Sequence, residues 1–147
     1  MKVVFDEDFA KIWSDGYSLI VFAVVYHMPE STRFKKMCEA HAAQVKRLSR
    51  EYKGVYSIFN MAEAQPIPLE ALFLYHNVYL PQQFETGLRY KAYVKPRNLF
   101  SQFSLEEVVN NVDPTKMGTF DSFEEALQAV NRKRSSSLLL PYGQTVL

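Results

Sequence analysis

Histidine, cysteine and paired glutamates are the residue types in this sequence whose chemistry suits a catalytic or metal site. His27, His41 and His76 are the only histidines, and none stands in a His-x-x-x-His pattern or beside an acidic pair. Metal sites and acid–base sites need such converging groups. Because His41 and His76 fall on the apolar stripes of predicted helices, we interpret both as core residues.

The single cysteine, Cys38, follows Met37 on one of these apolar stripes. A reactive thiol needs an exposed, electropositive setting and a neighbouring base. We therefore interpret Cys38 as a small buried hydrophobic residue. One cysteine makes neither an intramolecular disulfide nor a cysteine metal site, which favours a reducing compartment, and we expect a cytoplasmic protein.

Two glutamate pairs, Glu106-Glu107 and Glu124-Glu125, follow Ser104 and Ser122 at the spacing of helix capping boxes. Carboxylates in the first turn of a helix are stabilised by the helix dipole, so capping explains both pairs without catalysis. The five glycines do not cluster into a phosphate-binding loop. The sequence therefore predicts no catalytic residues, no metal and no cofactor.

The charge balance argues against nucleic acid and membranes as partners. The net charge is +1, so no overall field attracts nucleic acid. The start of the chain turns acidic at Asp6, unlike a signal peptide, and no apolar run approaches the ~20 residues of a membrane span. We expect one set of basic residues, without interleaved aromatics, to be solvated: Lys35, Lys36, Lys46, Arg47, Arg50 and Lys53.

The segment 54–60 organises the predicted fold as a short buried strand with a helix on each side. The helix before it, 31–52, carries an apolar stripe at three- and four-residue steps. That stripe consists of Phe34, Met37, Cys38, His41, Val45, Leu48 and Tyr52. With 147 residues, 48% of them hydrophobic and 22% charged, the chain suits one globular domain.

The same periodicities give the remaining elements. Strands are predicted at 3–5, 9–13, 17–28, 90–95 and 116–120, the second and third being joined in a hairpin. Helices are predicted at 68–80, ended by Pro81, at 104–112, with an earlier start at Leu99 as the alternative, and at 122–134. Residues 82–88 are predicted to form a further turn or a short helix. This order predicts an α/β fold with a mixed, largely parallel sheet, an N-terminal antiparallel hairpin and about four helices. Residues 1–134 form the domain, and 135–147 form a Ser-rich linker and an apolar tail.

The helix at 68–80 is apolar around most of its circumference, although a surface helix needs only one apolar face. Leu69, Leu72, Phe73, His76 and Leu80 form the stripe expected to face inward. A second stripe lies beside it and leaves three explanations open: a thick core, a symmetric dimer contact or an apolar-ligand pocket. The candidate interface or ligand residues are Ala71, Leu74, Tyr75, Val78, Tyr79 and Phe84.

The order of elements resembles the STAS/SpoIIAA-like family, which includes the sporulation anti-sigma-factor antagonist and many small bacterial relatives. The resemblance covers residues 1–134 and rests on the hairpin 9–28, the unit 31–60 and the closing stretch 118–127. It implies a non-enzymatic interaction or regulatory module, which we expect to act as a homodimer or with a protein partner. The family's phosphorylatable serine has no counterpart, because residues 60–68 contain neither Ser nor Thr.

Some relatives with this topology move a helix aside to hold a lipid or another apolar ligand. They imply an alternative function for this chain. In that case the protein is a carrier or sensor that binds a small apolar ligand in a pocket near residues 68–89.

Overall fold

Six strands form one sheet, and their order in space follows their order in the chain. The computed structural model describes residues 1–15, 19–51, 54–110 and 113–138. The strands are β1 (Lys2–Glu7), β2 (Ala10–Ser14), β3 (Ile20–Val25), β4 (Val55–Asn60), β5 (Leu88–Val94) and β6 (Met117–Phe120). Strands β1 to β3 pair antiparallel, and β3 to β6 pair parallel. This confirms the predicted α/β class, mixed sheet and N-terminal hairpin, whose turn residues 16–18 lie outside the described ranges.

Helical segments connect the parallel strands, which cannot be joined by tight turns, and one further helix follows β6. They are α1 (Ser31–Glu51), α2 (Leu69–Leu74), a π-helical turn (Tyr75–Tyr79), α3 (Leu80–Glu85), α4 (Leu99–Val109) and α5 (Phe123–Leu138). The α2 segment, the π turn and α3 follow one another without a gap, and we call residues 69–85 the interrupted helix. No helix in the described part of the chain is long and apolar enough to cross a membrane.

The predicted central strand is confirmed, since β4 lies between β3 and β5 and its first five residues are buried. Side chains alternate between the two faces of a strand. One face of the sheet packs with α1, the interrupted helix and α4 through residues such as Phe59 and Leu105. The other face packs with α5 through residues such as Ile58 and Val130.

The prediction that Pro81 ends the helix is wrong, because Pro81 lies inside α3. A proline ring in an α-helix clashes with the carbonyl four residues back. Just before Pro81 the helix widens into the π turn, where the Leu80 N–H donates to the carbonyl of Tyr75, five residues back. The wider turn shifts the backbone acceptors and accommodates the proline.

Helix α4 takes the earlier of its two candidate starts. Helix α4 begins at Leu99, and the Asn98 side-chain oxygen accepts the N–H of Ser101 at 3.0 Å. The second box is confirmed, since the Glu125 N–H donates to Ser122 Oγ at 3.2 Å. Helix α5 continues to Leu138 and so includes residues 135–137, which the sequence assigned to a linker; residues 139–147 lie outside the described ranges.

Candidate functional site

The interrupted helix buries a different stripe from the one predicted. Leu72, His76 and Leu80 are buried as expected, whereas Leu69 and Phe73 are 39% and 45% exposed. A π turn holds more residues per turn than an α turn, so the two flanking α segments are rotated relative to each other. A strict α-helical period therefore placed Leu69 and Phe73 on the wrong side.

The six candidate interface or ligand residues do not share one surface. Tyr75 is buried, whereas Leu74 and Val78 are 39% and 43% exposed. The other three are partly buried against the main core: Ala71, Tyr79 and Phe84. The helix thus has an inner side at Tyr75 and an outer side at Leu74 and Val78.

Tyr75 belongs to a buried polar cluster around Lys91, a residue that the sequence analysis did not select. Lys91 lies on β5 opposite Ser57 of β4 and has no exposed surface. Its Nζ donates to Gln83 Oε1 at 2.9 Å and to the Tyr75 hydroxyl. Tyr75 also donates to Gln83 Oε1, at 3.1 Å. Strand β5 and the interrupted helix therefore bring these three polar groups together inside the core.

Aromatic rings enclose the same amine. Lys91 Nζ lies 3.3 Å from the ring centroid of Phe59, 4.7 Å from that of Tyr75 and 5.6 Å from that of Tyr93. No ion pair between described residues includes Lys91. We call Lys91, Gln83, Tyr75, Tyr93, Phe59 and His76 the lysine cluster.

Burial controls the protonation of this cluster. Loss of hydration lowers the pKa of Lys91 well below its ordinary 10.5, and the Cys38 thiol partly opposes this shift. Aromatic faces attract the ammonium form and moderate the same cost. The amine therefore releases its proton more readily than a surface lysine does, and it responds strongly to any charge placed beside it.

His76 links the cluster to the helix backbone. Its Nδ1 donates to the carbonyl of Leu72 at 2.9 Å, so Nε2 is left to accept from the Tyr93 hydroxyl at 3.3 Å. Burial lowers the pKa of His76 to about 4, although the bond to Leu72 opposes the shift. A neutral imidazole with a fixed tautomer results.

The other two predicted core residues are confirmed as buried. His41 Nε2 lies 2.9 Å from Ser57 Oγ, and burial lowers the pKa of His41 well below 6.5. Burial raises the pKa of the Cys38 thiol to about 12. Neither group is prepared for chemistry as it stands, because a protonated, buried thiol is a poor nucleophile.

A small apolar cavity of about 10 Å³ adjoins the lysine cluster. It lies at the carboxyl ends of the parallel strands β3 and β4, the edge where open α/β sheets bind ligands. Its walls include Val25, Met28, Met37 and Met61, together with Phe59 and Tyr75. Because Phe59 and Tyr75 also contact Lys91, the cavity and the amine share a wall.

Helices α2 and α4 pack beside each other, and both expose large apolar side chains. Those of α4 are 63–67% exposed and those of the interrupted helix 39–45%. We call the following seven residues the apolar face: Leu69, Phe73, Leu74, Val78, Leu99, Phe100 and Phe103.

The described residues contain no group of three or more His, Cys, Asp or Glu side chains placed to hold a metal ion. Comparison with protein-family models and with curated proteins finds no match for the chain.

Proposed function

We propose that the chain is a non-enzymatic protein-interaction or regulatory module of STAS/SpoIIAA-like type, which pairs with a second copy of itself. The observation that carries this proposal is the apolar face on α2, the π turn and α4. Single exposed apolar residues are normal on a protein surface. Several on two adjacent helices are typical of an interaction site.

The size of the apolar face supports a stable pair. An aromatic side chain has roughly 150–250 Å² of surface. At the observed exposures the seven side chains present on the order of 600 Å², close to the roughly 800 Å² per partner of a standard interface. Neighbouring polar residues at the rim would supply the remainder.

The charge distribution supports self-association over binding to a charged partner. Glu70 and Glu85 are the only charged residues of the interrupted helix. In a two-fold pair the same patch meets itself, so a charged patch would face like charge, whereas an apolar patch is self-complementary. A second copy of this chain is therefore the occupant that fits best.

The state of the titratable groups supports a role without catalysis. Lys91, Tyr93 and His41 are buried against their hydrogen-bonding or aromatic partners, and burial keeps the Cys38 thiol protonated. A reacting group must reach its substrate within hydrogen-bond distance. Here, such contact requires the helix over the cluster to move.

Light scattering on the wild type and on Leu74→Glu and Val78→Glu tests the dimer. We expect the wild type to be dimeric, and each variant to raise the dissociation constant at least tenfold, about 1.4 kcal/mol. A buried, unpaired carboxylate would oppose the contact. Val3→Glu is the matched control, since Val3 is 41% exposed on β1, outside the apolar face.

A wild type that stays monomeric at high concentration would remove the dimer from the proposal. So would a dimer that both glutamate variants leave intact.

The cavity beside the lysine cluster favours a second candidate function, a carrier or sensor of a small apolar ligand. Its walls are apolar, and it lies under the interrupted helix at residues 69–85. Native mass spectrometry of freshly purified protein tests this function. A co-purifying small molecule supports it, whereas repeated absence of bound mass argues against it.

A further inference from the structure

The lysine cluster has hydrogen-bond donors that lack acceptors. Gln83 is fully buried, and its Oε1 accepts from both Lys91 and Tyr75. Its Nε2 has no partner among the described residues. Leaving a buried donor unpaired is costly, so such a group needs an explanation.

Lys91 adds to the same imbalance. In its protonated form the Lys91 amine has three donors, of which two reach Tyr75 and Gln83 while the Phe59 ring lies at 3.3 Å. Buried cations in proteins are normally paired with an anion. Here the surroundings consist of neutral oxygens and aromatic rings, so the cluster is suited to receive an anion that the described residues do not supply.

The walls of the adjoining cavity include adaptable side chains. Three of its wall residues are methionines, Met28, Met37 and Met61. Methionine is flexible and fills irregular space, which makes it suitable for a wall that must adapt. Met28 is partly exposed and therefore marks the route from solvent. The π turn forms another wall through Tyr75 and His76, and such turns are frequent at functional sites.

We propose that this cavity binds the apolar body of a small monocarboxylate, whose carboxylate is held by Lys91 Nζ and Gln83 Nε2. The carboxylate supplies the acceptor that Gln83 lacks and the counter-charge that Lys91 lacks. The apolar body displaces the methionine side chains toward solvent and takes their place against Phe59 and Tyr75. This inference rests on the ligand-carrier function, the second candidate above, and names its ligand class.

Isothermal titration calorimetry with decanoate and decanol tests the carboxylate requirement on the full chain. We expect the wild type to bind decanoate at least tenfold more tightly than decanol.

Lys91→Met should weaken decanoate binding at least tenfold and change decanol binding less than twofold. Gln83→Leu, a second variant that removes the unpaired amide, should weaken decanoate binding severalfold. Lys116→Met is the matched control at an exposed lysine and should leave both ligands unaffected.

Two failures are distinguishable. Equal binding of decanoate and decanol, unchanged in Lys91→Met, would overturn the carboxylate site but leave an apolar-ligand carrier standing. Binding of neither compound to the wild type, together with no co-purifying mass, would overturn the carboxylate site and the carrier function alike.

Discussion

The interrupted helix buries polar groups among the apolar side chains that face the core, and it exposes several large apolar side chains to solvent. Inward, Tyr75, His76 and Gln83 surround Lys91, whereas outward Phe73 and Val78 are 45% and 43% exposed. An ordinary surface helix buries apolar side chains and exposes polar ones. Burying an amine and exposing apolar side chains both reduce stability relative to that arrangement.

Both features support the proposals that each side has a use besides folding. Sequences retain locally unfavourable choices mainly at functional sites. The outer side fits a flat partner, which would cover the apolar face. The inner side fits a small ligand, which would complete the hydrogen bonds of Gln83 and the charge of Lys91. The π turn lies between the two sides, so movement of this one turn would affect both.

The largest expected effect is a loss of stability at Leu72, on the inner side of the interrupted helix. Leu74, two positions later on the outer side, is the comparison. Leu72 is 2% exposed and Leu74 is 39% exposed. Leu72→Ala should lower the free energy of unfolding by about 3 kcal/mol, because it removes buried methyl groups and leaves a cavity. Leu74→Ala should lower it by less than about 1 kcal/mol in a monomeric background such as Val78→Glu. Urea unfolding of the two variants measures both values, and equal losses would contradict the assignment of sides.

A smaller effect is the loss of stability at low pH that comes from His76, on the inner side. The pKa of His76 is lowered to about 4 in the folded protein, against about 6.5 in the unfolded chain. The unfolded state therefore binds the proton first, and stability is complete above pH 6.5 and falls as the pH drops toward 4. At pH 5 the loss from His76 should be about 2 kcal/mol. The lowered pKa of His41 adds a loss of the same sign.

Urea unfolding at pH 7 and pH 5 measures this loss. His76→Leu should lose its own part of this decline and retain the part that comes from His41. Asn77→Leu is the control, since Asn77 is the exposed neighbour in the same π turn and its replacement should keep the wild-type decline. The pKa values of Asp8 and Asp113 are lowered below 3.8, so these carboxylates do not titrate in the measured range. Identical stability of the wild type at both pH values would contradict the buried, neutral state of the histidines.

Periodicity correctly predicted helices that are buried on one side, such as α1, and strands that are buried on both faces, such as β4. In α1 six of the seven residues of the predicted stripe are buried; the seventh, Tyr52, lies outside the described ranges. The strand β4 was predicted because the run 54–60 is apolar on both faces and bounded by turn residues. The sequence does not decide between starts of α4 at Leu99 and at Ser104, because Asn98 and Ser104 are both good caps and only tertiary packing chooses between them.

The lysine cluster was missed because an alternating strand normally exposes its lysine. Apolar and polar residues alternate in the stretch 90–95, and this alternation predicts that Lys91 faces solvent. One signal contradicts this: Tyr90 and Tyr93 are three residues apart, so they lie on opposite faces of the strand. Both faces are therefore apolar, and Lys91 must share its face with Tyr93 inside the core. The π turn has no comparable signal, since its rotation depends on how Pro81 is accommodated.

The smallest expected effect has the opposite sign and tests whether Lys91 is retained at a cost. Lys91→Met should raise the free energy of unfolding by about 1–2 kcal/mol, because a thioether of similar length needs no hydration. Tyr75 and Gln83 remain bonded to each other at 3.1 Å, so the substitution creates no new unpaired group.

Lys95→Met is the matched control on the same stretch of chain. Lys95 is bonded to Glu106 at 2.9 Å and lies 3.4 Å from Asp121. Its removal should lower stability by less than about 1 kcal/mol, as expected for a largely solvated pair. Thermal and urea unfolding of the two variants therefore give shifts of opposite sign. If Lys91→Met destabilised the protein as Lys95→Met does, the hydrogen bonds of the Lys91 amine would be stabilising contacts of the core. A gain in stability means that the fold keeps Lys91 for what it binds.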